Sequence, residues 1–170
     1  MPPHLILVGL PGVGKTTIGK AAARRLGRTF LDFDREIERR AGMEVREIFR
    51  VKGEQHFRGL ELELSRELSA QEGMVLSPGG GWITQTDSVE LLRSTGRIIY
   101  LRASPEAVAR RLRRVETRPL LAGRDPVVAL RELYEKRRTL YETADIVLDT
   151  ERLARQQLIA KVVELASTIE

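Results

Sequence analysis

Residues 9–17 read GLPGVGKTT and match the pattern GxxxxGK[ST]. The match follows a short apolar run, HLILV at residues 4–8, and precedes a stretch with helical spacing. Glycines in such a loop let successive backbone N–H groups point at phosphate oxygens, and the start of a helix adds partial positive charge. The stretch therefore predicts a phosphate-binding loop between a strand and a helix. A chance match in a glycine-rich turn is the alternative, which the strand and helix context disfavours.

The residues of this loop have separate expected roles. The backbone is expected to bind the phosphates of a nucleoside triphosphate, a role for Gly12, Val13 and Gly14. Lys15 should reach the β and γ phosphates, and the Thr16 hydroxyl should bind Mg²⁺. Thr17 faces either the α phosphate or the helix interior. The loop thus predicts a nucleotide and a metal ion, but it does not name the reaction.

The rest of the chain predicts an α/β fold. Five short apolar runs, at residues 4–8, 29–33, 74–77, 97–101 and 145–148, alternate with helical patterns such as Phe57, Leu60, Leu64 and Leu68. This alternation favours a five-stranded parallel sheet flanked by helices. The 170 residues are enough for one sizeable core, so we expect a single domain over residues 1–170. Ligands of such sheets bind beyond the carboxyl ends of the strands.

Composition excludes several kinds of site. The chain has no cysteine and two distant histidines, which argues against disulfides, thiolate zinc sites and histidine-rich metal centres. It has no apolar run of membrane-spanning length and no secretory signal pattern, so we expect a cytoplasmic protein without a membrane partner. The net charge is +5, and six arginines fall between residues 107 and 124. A small polyanionic ligand or a nucleic acid would account for these arginines. A solvated helix face would by itself explain about half of them.

Two further strand ends carry candidate residues. Asp32 and Asp34 flank Phe33 after the second apolar run, and strand alternation would turn both carboxylates toward the cleft. The pattern is compatible with three roles for these aspartates: a helix cap, a metal ligand or a catalytic base. The third run leads into Gly79, Gly80 and Gly81, which either let the backbone approach a ligand or make a tight turn.

Together these residues resemble the shikimate kinase family, over nearly the whole chain. The likeness is carried, in order, by GLPGVGKTTIGK at 9–20, FLDFDREIERRAG at 30–42, IFRVKGEQHFR at 48–58, LSPGGG at 76–81, TRPLLAG at 117–123 and KRRTLY at 136–141. Two departures are visible. Thr139 stands where the family usually has Pro, and Thr16 stands where many members have Ser, which preserves the hydroxyl.

The resemblance implies a three-layer P-loop kinase fold with a mobile lid at about residues 112–125 and a substrate-binding helical segment at about 32–60. It implies transfer of the γ phosphate of ATP to the 3-hydroxyl of shikimate, giving shikimate 3-phosphate and ADP in the synthesis of chorismate and aromatic amino acids. Asp34 then binds the ring hydroxyls and accepts the proton, and Asp32 lies on the Mg²⁺ side.

The resemblance also assigns basic residues. By this resemblance, the shikimate carboxylate is bound by Arg58 and Arg137. The backbone of Gly79, Gly80 and Gly81 closes around the ring. Arg137 is preferred to Arg138 because it stands four residues before Tyr141, although Thr139 weakens that choice. Arg118 belongs to the lid and is expected to neutralise the transferring phosphate together with Lys15. Arg111 is expected to stack on the adenine, with Arg110 as the alternative and residues 149–151 as the other wall.

Other functions stay open. One is a different small-molecule kinase of the same architecture, for gluconate or a nucleoside monophosphate. Such an enzyme would share residues 9–17 but would not need Arg58, the three glycines and Arg137 together. Another is a non-enzymatic regulator or nucleic-acid binder that uses the basic segment, which leaves the two aspartates unexplained. The preferred interpretation is a monomeric shikimate kinase whose partners are ATP and shikimate, and not nucleic acid.

Overall fold

Five parallel strands form one sheet in the computed structural model, which describes residues 1–114 and 125–168. The strands are β1 (His4–Val8), β2 (Phe30–Asp32), β3 (Val75–Ser77), β4 (Gly96–Arg102) and β5 (Ile146–Asp149). Their order across the sheet is β2-β3-β1-β4-β5, and every pairing is parallel. The five predicted strands are confirmed, with ends that differ by at most one residue.

Helices flank this sheet in the described part of the chain. They are α1 (Lys15–Leu26), α2 (Phe33–Ala41), α3 (Val45–Lys52), α4 (Glu54–Ser69), α5 (Thr86–Arg93), α6 (Pro105–Arg114), α7 (Pro126–Tyr141) and α8 (Arg155–Thr168). In α4 the predicted apolar stripe is buried at Phe57, Leu64 and Leu68, while Leu60 is only partly buried. None of the helices in the described ranges is long and apolar enough to cross a membrane.

The central strand explains why both faces need cover. Leu5, Ile6 and Leu7 of β1 have no exposed surface, although alternate residues of a strand point to opposite faces. A continuous apolar run of this kind is typical of a parallel sheet buried on both sides. Because β1, β2 and β3 run parallel to one another, their carboxyl ends meet at one edge of the sheet. The connections into the following helices begin there.

The β2–α2 junction corrects one prediction. Alternation along a strand would turn both carboxylates the same way only if the extended geometry persisted through Asp34, but β2 ends at Asp32 and α2 begins at Phe33. The reason is that Asp32 caps α2: its Oδ1 accepts from the Arg35 backbone N–H at 3.1 Å. Phe33 is fully buried and packs edge-on against Trp82, with ring centroids 6.3 Å apart. Asp34 thus projects from the first turn of a helix.

His4 of β1 contacts the last turn of α4 and the residue that precedes β3. Its fully buried ring has Nε2 2.9 Å from the Leu68 carbonyl oxygen and Nδ1 3.1 Å from the Met74 backbone nitrogen. The carbonyl can only accept and the amide can only donate, so Nε2 carries the proton and Nδ1 accepts. Both ring nitrogens are therefore satisfied inside the core.

We expect His4→Ala to lower the free energy of unfolding by about 1–3 kcal/mol, because it leaves the buried Met74 amide without its acceptor, while the Leu68 carbonyl keeps its hydrogen bond from the Gln71 backbone N–H. Urea denaturation at neutral pH measures the loss. His56→Ala is the matched control, since His56 is exposed on α4, and its change should stay within about 0.5 kcal/mol. Equal stabilities for the two variants would refute the role given to His4.

Candidate active site

The predicted phosphate-binding loop joins β1 to α1. Gly12 and Gly14 have φ of 85° and 112°, in the left-handed region that favours glycine, and Gly14 directly precedes the first residue of α1. Lys15 Nζ donates to the carbonyl oxygens of Gly9 at 2.7 Å and Leu10 at 3.0 Å. The ammonium group is therefore held over the loop from which α1 begins.

A cavity of about 580 Å³ opens above the loop. Residues 11–18, both aspartates of the β2–α2 junction, residues 77–80 and Arg111 line it, as do Leu153, Arg155 and Leu158. The cavity thus lies beyond the carboxyl ends of β1, β2 and β3, as predicted from the fold class. Its volume is in the usual range for small-molecule sites. Thr150, one of residues 149–151 expected to form a wall of the base pocket, also lines the cavity, whereas sequence reasoning missed Leu153, Arg155 and Leu158, which belong to no motif.

The two aspartates face different neighbours. Thr16 Oγ1 donates to Asp32 Oδ2 at 3.2 Å, so Asp32 both caps α2 and contacts the loop. Asp34 lies beside the glycine turn instead. Burial raises the pKa of Asp34 to about 6, helped by the Asp32 and Glu38 carboxylates, while Lys15 and Arg58 act against the shift. A carboxylate of this kind is ionised at neutral pH and ready to accept a proton.

Each glycine of the turn leaves room for a different charged side chain. A Cβ at Gly79 would lie 2.8 Å from Asp34 Oδ1, and a Cβ at Gly80 would lie 2.8 Å from Arg137 Nη1. A Cβ at Gly81 would lie 2.8 Å from both Cζ and Nη1 of Arg58. None of the three has a positive φ, so the need for glycine here is space rather than backbone conformation. The turn brings both predicted arginines and Asp34 together.

Arg58 is held by a buried carboxylate that the sequence analysis missed. Arg58 Nη1 donates to Glu61 Oε1 at 2.6 Å, and Glu61 has no exposed surface. Burial raises the pKa of Glu61 to about 7, against the opposing effect of the Arg58 hydrogen bond and charge. The rings of Phe49 and Phe57 lie 6.0 and 5.5 Å from the guanidinium carbon. The available signal was a glutamate within the apolar stripe of α4.

Arg137 and Arg138 have separate environments on α7. Arg137 Nη1 lies against Gly80, whereas the Arg138 guanidinium stacks over the Tyr134 ring at 5.8 Å. The structure therefore brings Arg137, rather than Arg138, to the glycine turn. This agrees with the choice made from the spacing to Tyr141.

Tyr141 is a second residue that sequence reasoning missed, since it served only as a landmark for Arg137. Its buried hydroxyl lies 3.1 Å from the Gly9 carbonyl oxygen and 3.2 Å from the Gly80 carbonyl oxygen. Burial raises the pKa of this hydroxyl, so it stays a donor at neutral pH. The ring stacks on Tyr100 with centroids 4.9 Å apart. Tyr141 thus links the start of the phosphate loop to the glycine turn.

Arg111 spans two segments around the cavity. It donates to the carbonyl oxygens of Val13 at 3.0 Å and Thr150 at 3.2 Å, which joins the loop to the segment after β5. Arg111, and not Arg110, lines the cavity. Residues 112–114 of the predicted lid end α6, while Arg118 and the rest of residues 115–124 lie outside the described residues.

Comparison with known proteins names the family. The family model described as shikimate kinase matches residues 11–167. The chain belongs to the shikimate kinase family. A curated shikimate kinase of Burkholderia lata is 43% identical, over 98% of this chain and 94% of the relative. One from Thiobacillus denitrificans is 45% identical, over 88% and 82% respectively. The chain is therefore an ATP-dependent kinase that acts on a small molecule, as predicted.

Solved structures agree with the sequence comparison. Shikimate kinase from Acinetobacter baumannii, solved in complex with shikimate, superposes with a TM-score of 0.88 at 39% identity, covering 99% of this chain and 94% of that one. A gluconokinase from Sinorhizobium meliloti has a TM-score of 0.62 at 16% identity, which reflects the shared fold alone. The fold is thus common to both, and sequence similarity groups this chain with the shikimate kinases rather than with the gluconokinase.

Proposed function

We propose that this enzyme transfers the γ phosphate of ATP to the 3-hydroxyl of shikimate, giving shikimate 3-phosphate, with Asp34 as the proton acceptor. In this step the hydroxyl oxygen forms a bond to γ phosphorus, the bond from γ phosphorus to the bridging oxygen breaks, and the hydroxyl proton passes to Asp34. ADP leaves with the electron pair of the broken bond. The observation that carries the proposal is a partly buried, ionisable carboxylate that interacts with Lys15 and Arg58 and lies against the same glycine turn as Arg137.

Arg58 and Arg137 are proposed to bind the shikimate carboxylate. A guanidinium offers paired N–H donors that match the two oxygens of a carboxylate. The two side chains lie against adjacent glycines, so an anion on the turn meets both. The backbone of Gly79, Gly80 and Gly81 would then line one side of the ring. Asp34, against the first of these glycines, would lie near the ring hydroxyls.

The nucleotide is proposed to lie along the loop. Backbone N–H groups of residues 12–17 and the N-terminus of α1 suit its phosphates, and Lys15 is close enough to turn from the loop carbonyls toward them. Arg111 is proposed to contact the adenine, since it borders the cavity beside Thr150. Arg118 retains its proposed role in the lid, where it would neutralise phosphate charge and help exclude water.

Thr16 and Asp32 suit a magnesium ion. They supply a hydroxyl and a carboxylate whose oxygens are 3.2 Å apart, a hard donor set of the kind that Mg²⁺ prefers. Within residues 1–114 and 125–168 no cluster of three acidic or histidine side chains offers a dedicated metal cage. Mg²⁺ commonly binds through one or two protein ligands and substrate phosphates. When bound with ATP, the ion would offset the negative charge of the phosphates.

We also infer a monomer that acts in the cytoplasm on small molecules and not on nucleic acid. The residues proposed to act on shikimate and ATP all come from one chain, so a second copy is not needed to complete the site. One of the six arginines between residues 107 and 124 is also directed at the cavity, since Arg111 donates to two backbone carbonyls there.

A coupled assay of ADP release, with Mg-ATP and purified protein, tests the function. We expect turnover that depends on shikimate, and no turnover above background with gluconate in its place. Absence of shikimate-dependent ADP release would end the proposal. Equal rates with both acceptors would leave a kinase but reject its proposed specificity.

The pH profile of kcat/KM for shikimate tests the role of Asp34. The carboxyl has a pKa of about 6 and accepts a proton only when ionised. We therefore expect kcat/KM to be flat near pH 8 and to fall about tenfold per pH unit well below pH 6. The affinity for ATP, measured by calorimetric titration over the same range, should change far less. A profile that stays flat down to pH 5 would exclude Asp34 as the base.

A further inference from the structure

The two ends of the Arg58 guanidinium have unequal partners. Nη1 is paired at 2.6 Å with Glu61, which is fully buried, whereas Nη2 is paired at 3.2 Å with Glu54 Oε1. The Glu54 side chain is 66% exposed and belongs to the first turn of α4. The Nη1 end of the guanidinium is therefore fixed in the interior, and the Nη2 end is held by a carboxylate at the surface.

The cost of release differs strongly between these partners. Separating Glu61 from Arg58 would leave an uncompensated buried charge, which costs several kcal/mol. Parting from Nη2 returns the Glu54 carboxylate to water, so this step costs much less, although the Arg58 side chain itself is only 17% exposed. Nη2 is also the guanidinium nitrogen nearest the Cβ position of Gly81, so this end lies on the proposed acceptor site. A carboxylate that arrives there meets Glu54 as its competitor.

The acidic side chains around Arg58 also affect how an anion can bind there. Arg58 contacts two carboxylates, and Asp34 and Glu61 interact electrostatically at the same turn. A further anion must enter a site where acidic side chains already offset the guanidinium. Glu61 and the rings of Phe49 and Phe57 hold Arg58 without help from Glu54. Loss of Glu54 would therefore free a donor without releasing the arginine.

We propose that Glu54 occupies the carboxylate position on Arg58 in the ligand-free enzyme and leaves it when shikimate binds. Glu54 then weakens the affinity for shikimate and so helps to set its KM. The inference rests on the proposed function, because it takes the ring carboxylate of shikimate as the group that displaces Glu54. Glu54 does not contact the reacting atoms in this scheme, and it acts only through Arg58.

The test is Glu54→Gln, which keeps the shape of the side chain and removes its charge. We expect KM for shikimate to fall about two- to fivefold, which corresponds to about 0.4–1 kcal/mol for an ion pair to a surface carboxylate. The values of kcat and KM for ATP should stay unchanged. Titration calorimetry with shikimate alone should show the same gain in affinity without any need for turnover. Glu54→Ala, which also removes the hydrogen bond, should match or exceed that gain.

Glu47→Gln is the matched control. Glu47 is a half-exposed glutamate on α3 that pairs with Arg50 instead of Arg58, so its neutralisation should leave KM for shikimate unchanged. An increase in KM for Glu54→Gln would mean that Glu54 positions Arg58, and an unchanged KM would mean that it has no role. Either result overturns the inference while the wild-type enzyme still turns over shikimate. Failure of the wild-type enzyme to use shikimate would instead refute the proposed function.

Discussion

Asp34→Asn is expected to lower kcat by about 10²- to 10⁴-fold, the contribution typical of a positioned general base. Asparagine has nearly the same shape but cannot take up the hydroxyl proton. The nucleotide loop is untouched, so the dissociation constant for ATP should change little. Steady-state kinetics with saturating shikimate and calorimetry with ATP separate the two effects. A variant with wild-type kcat would remove Asp34 from the chemistry.

The same substitution should stabilise the folded protein at high pH, which excludes unfolding as the cause of inactivity. The folded-state pKa of Asp34 is raised above its ordinary value, so the folded state binds this proton more tightly than the unfolded state. Wild-type stability is therefore lost as pH rises from about 4 through about 6. Asparagine does not titrate. We expect Asp34→Asn to be more stable than wild type at pH 8, with the difference shrinking toward pH 4.

Gly81→Ala is expected to raise KM for shikimate about 5- to 150-fold. A methyl group there would overlap the Arg58 guanidinium, and overpacking of this kind costs about 1–3 kcal/mol. Gly81 has φ of −86°, which alanine adopts without strain, so the backbone should be unaffected. Arg58 is the group that must move, since the turn is fixed by Tyr141 and Trp82. Kinetics with each substrate varied in turn measure the effect.

Gly59→Ala is the matched control for this prediction. Gly59 follows Arg58 on α4, and nothing lies within 4 Å of its Cβ position. Alanine there should raise stability by up to about 1 kcal/mol through helix propensity and leave KM for shikimate unchanged. If Gly81→Ala left KM for shikimate unchanged, as expected for Gly59→Ala, the contact between the turn and Arg58 would have no effect on shikimate binding.

Local patterns were enough to predict the sheet and the phosphate loop. An apolar run such as HLILV has few alternatives when glycines and a helical pattern follow it. The site residues Asp34, Arg58 and Arg137 were selected through the family resemblance, and the structure brings all three to the glycine turn. Their chemical roles stay proposals until the variants above are measured.

What the sequence could not reveal depends on contacts between distant segments. The roles of Asp32 and Asp34 stayed open because a helix cap, a metal site and a catalytic base suit the same residue type, and only the contact with the Arg35 backbone N–H identifies Asp32 as the cap of α2. Glu61 and Tyr141 were missed because their importance arises from burial against residues of other elements: Arg58 with Glu61 and Gly9 with Tyr141. A single glutamate in an apolar stripe is a weak signal until its partner is known.

The glycine turn also bears on how acceptor specificity can change. The turn contributes no side chains, and the charged groups above it come from α2, α4 and α7, through Asp34, Arg58 and Arg137. A new acceptor therefore cannot be accommodated by altering one contiguous loop. Evolution or directed evolution toward another substrate would need coordinated changes at three positions spread over about 100 residues of sequence. Libraries that randomise these helix positions together should succeed where libraries of the turn itself fail.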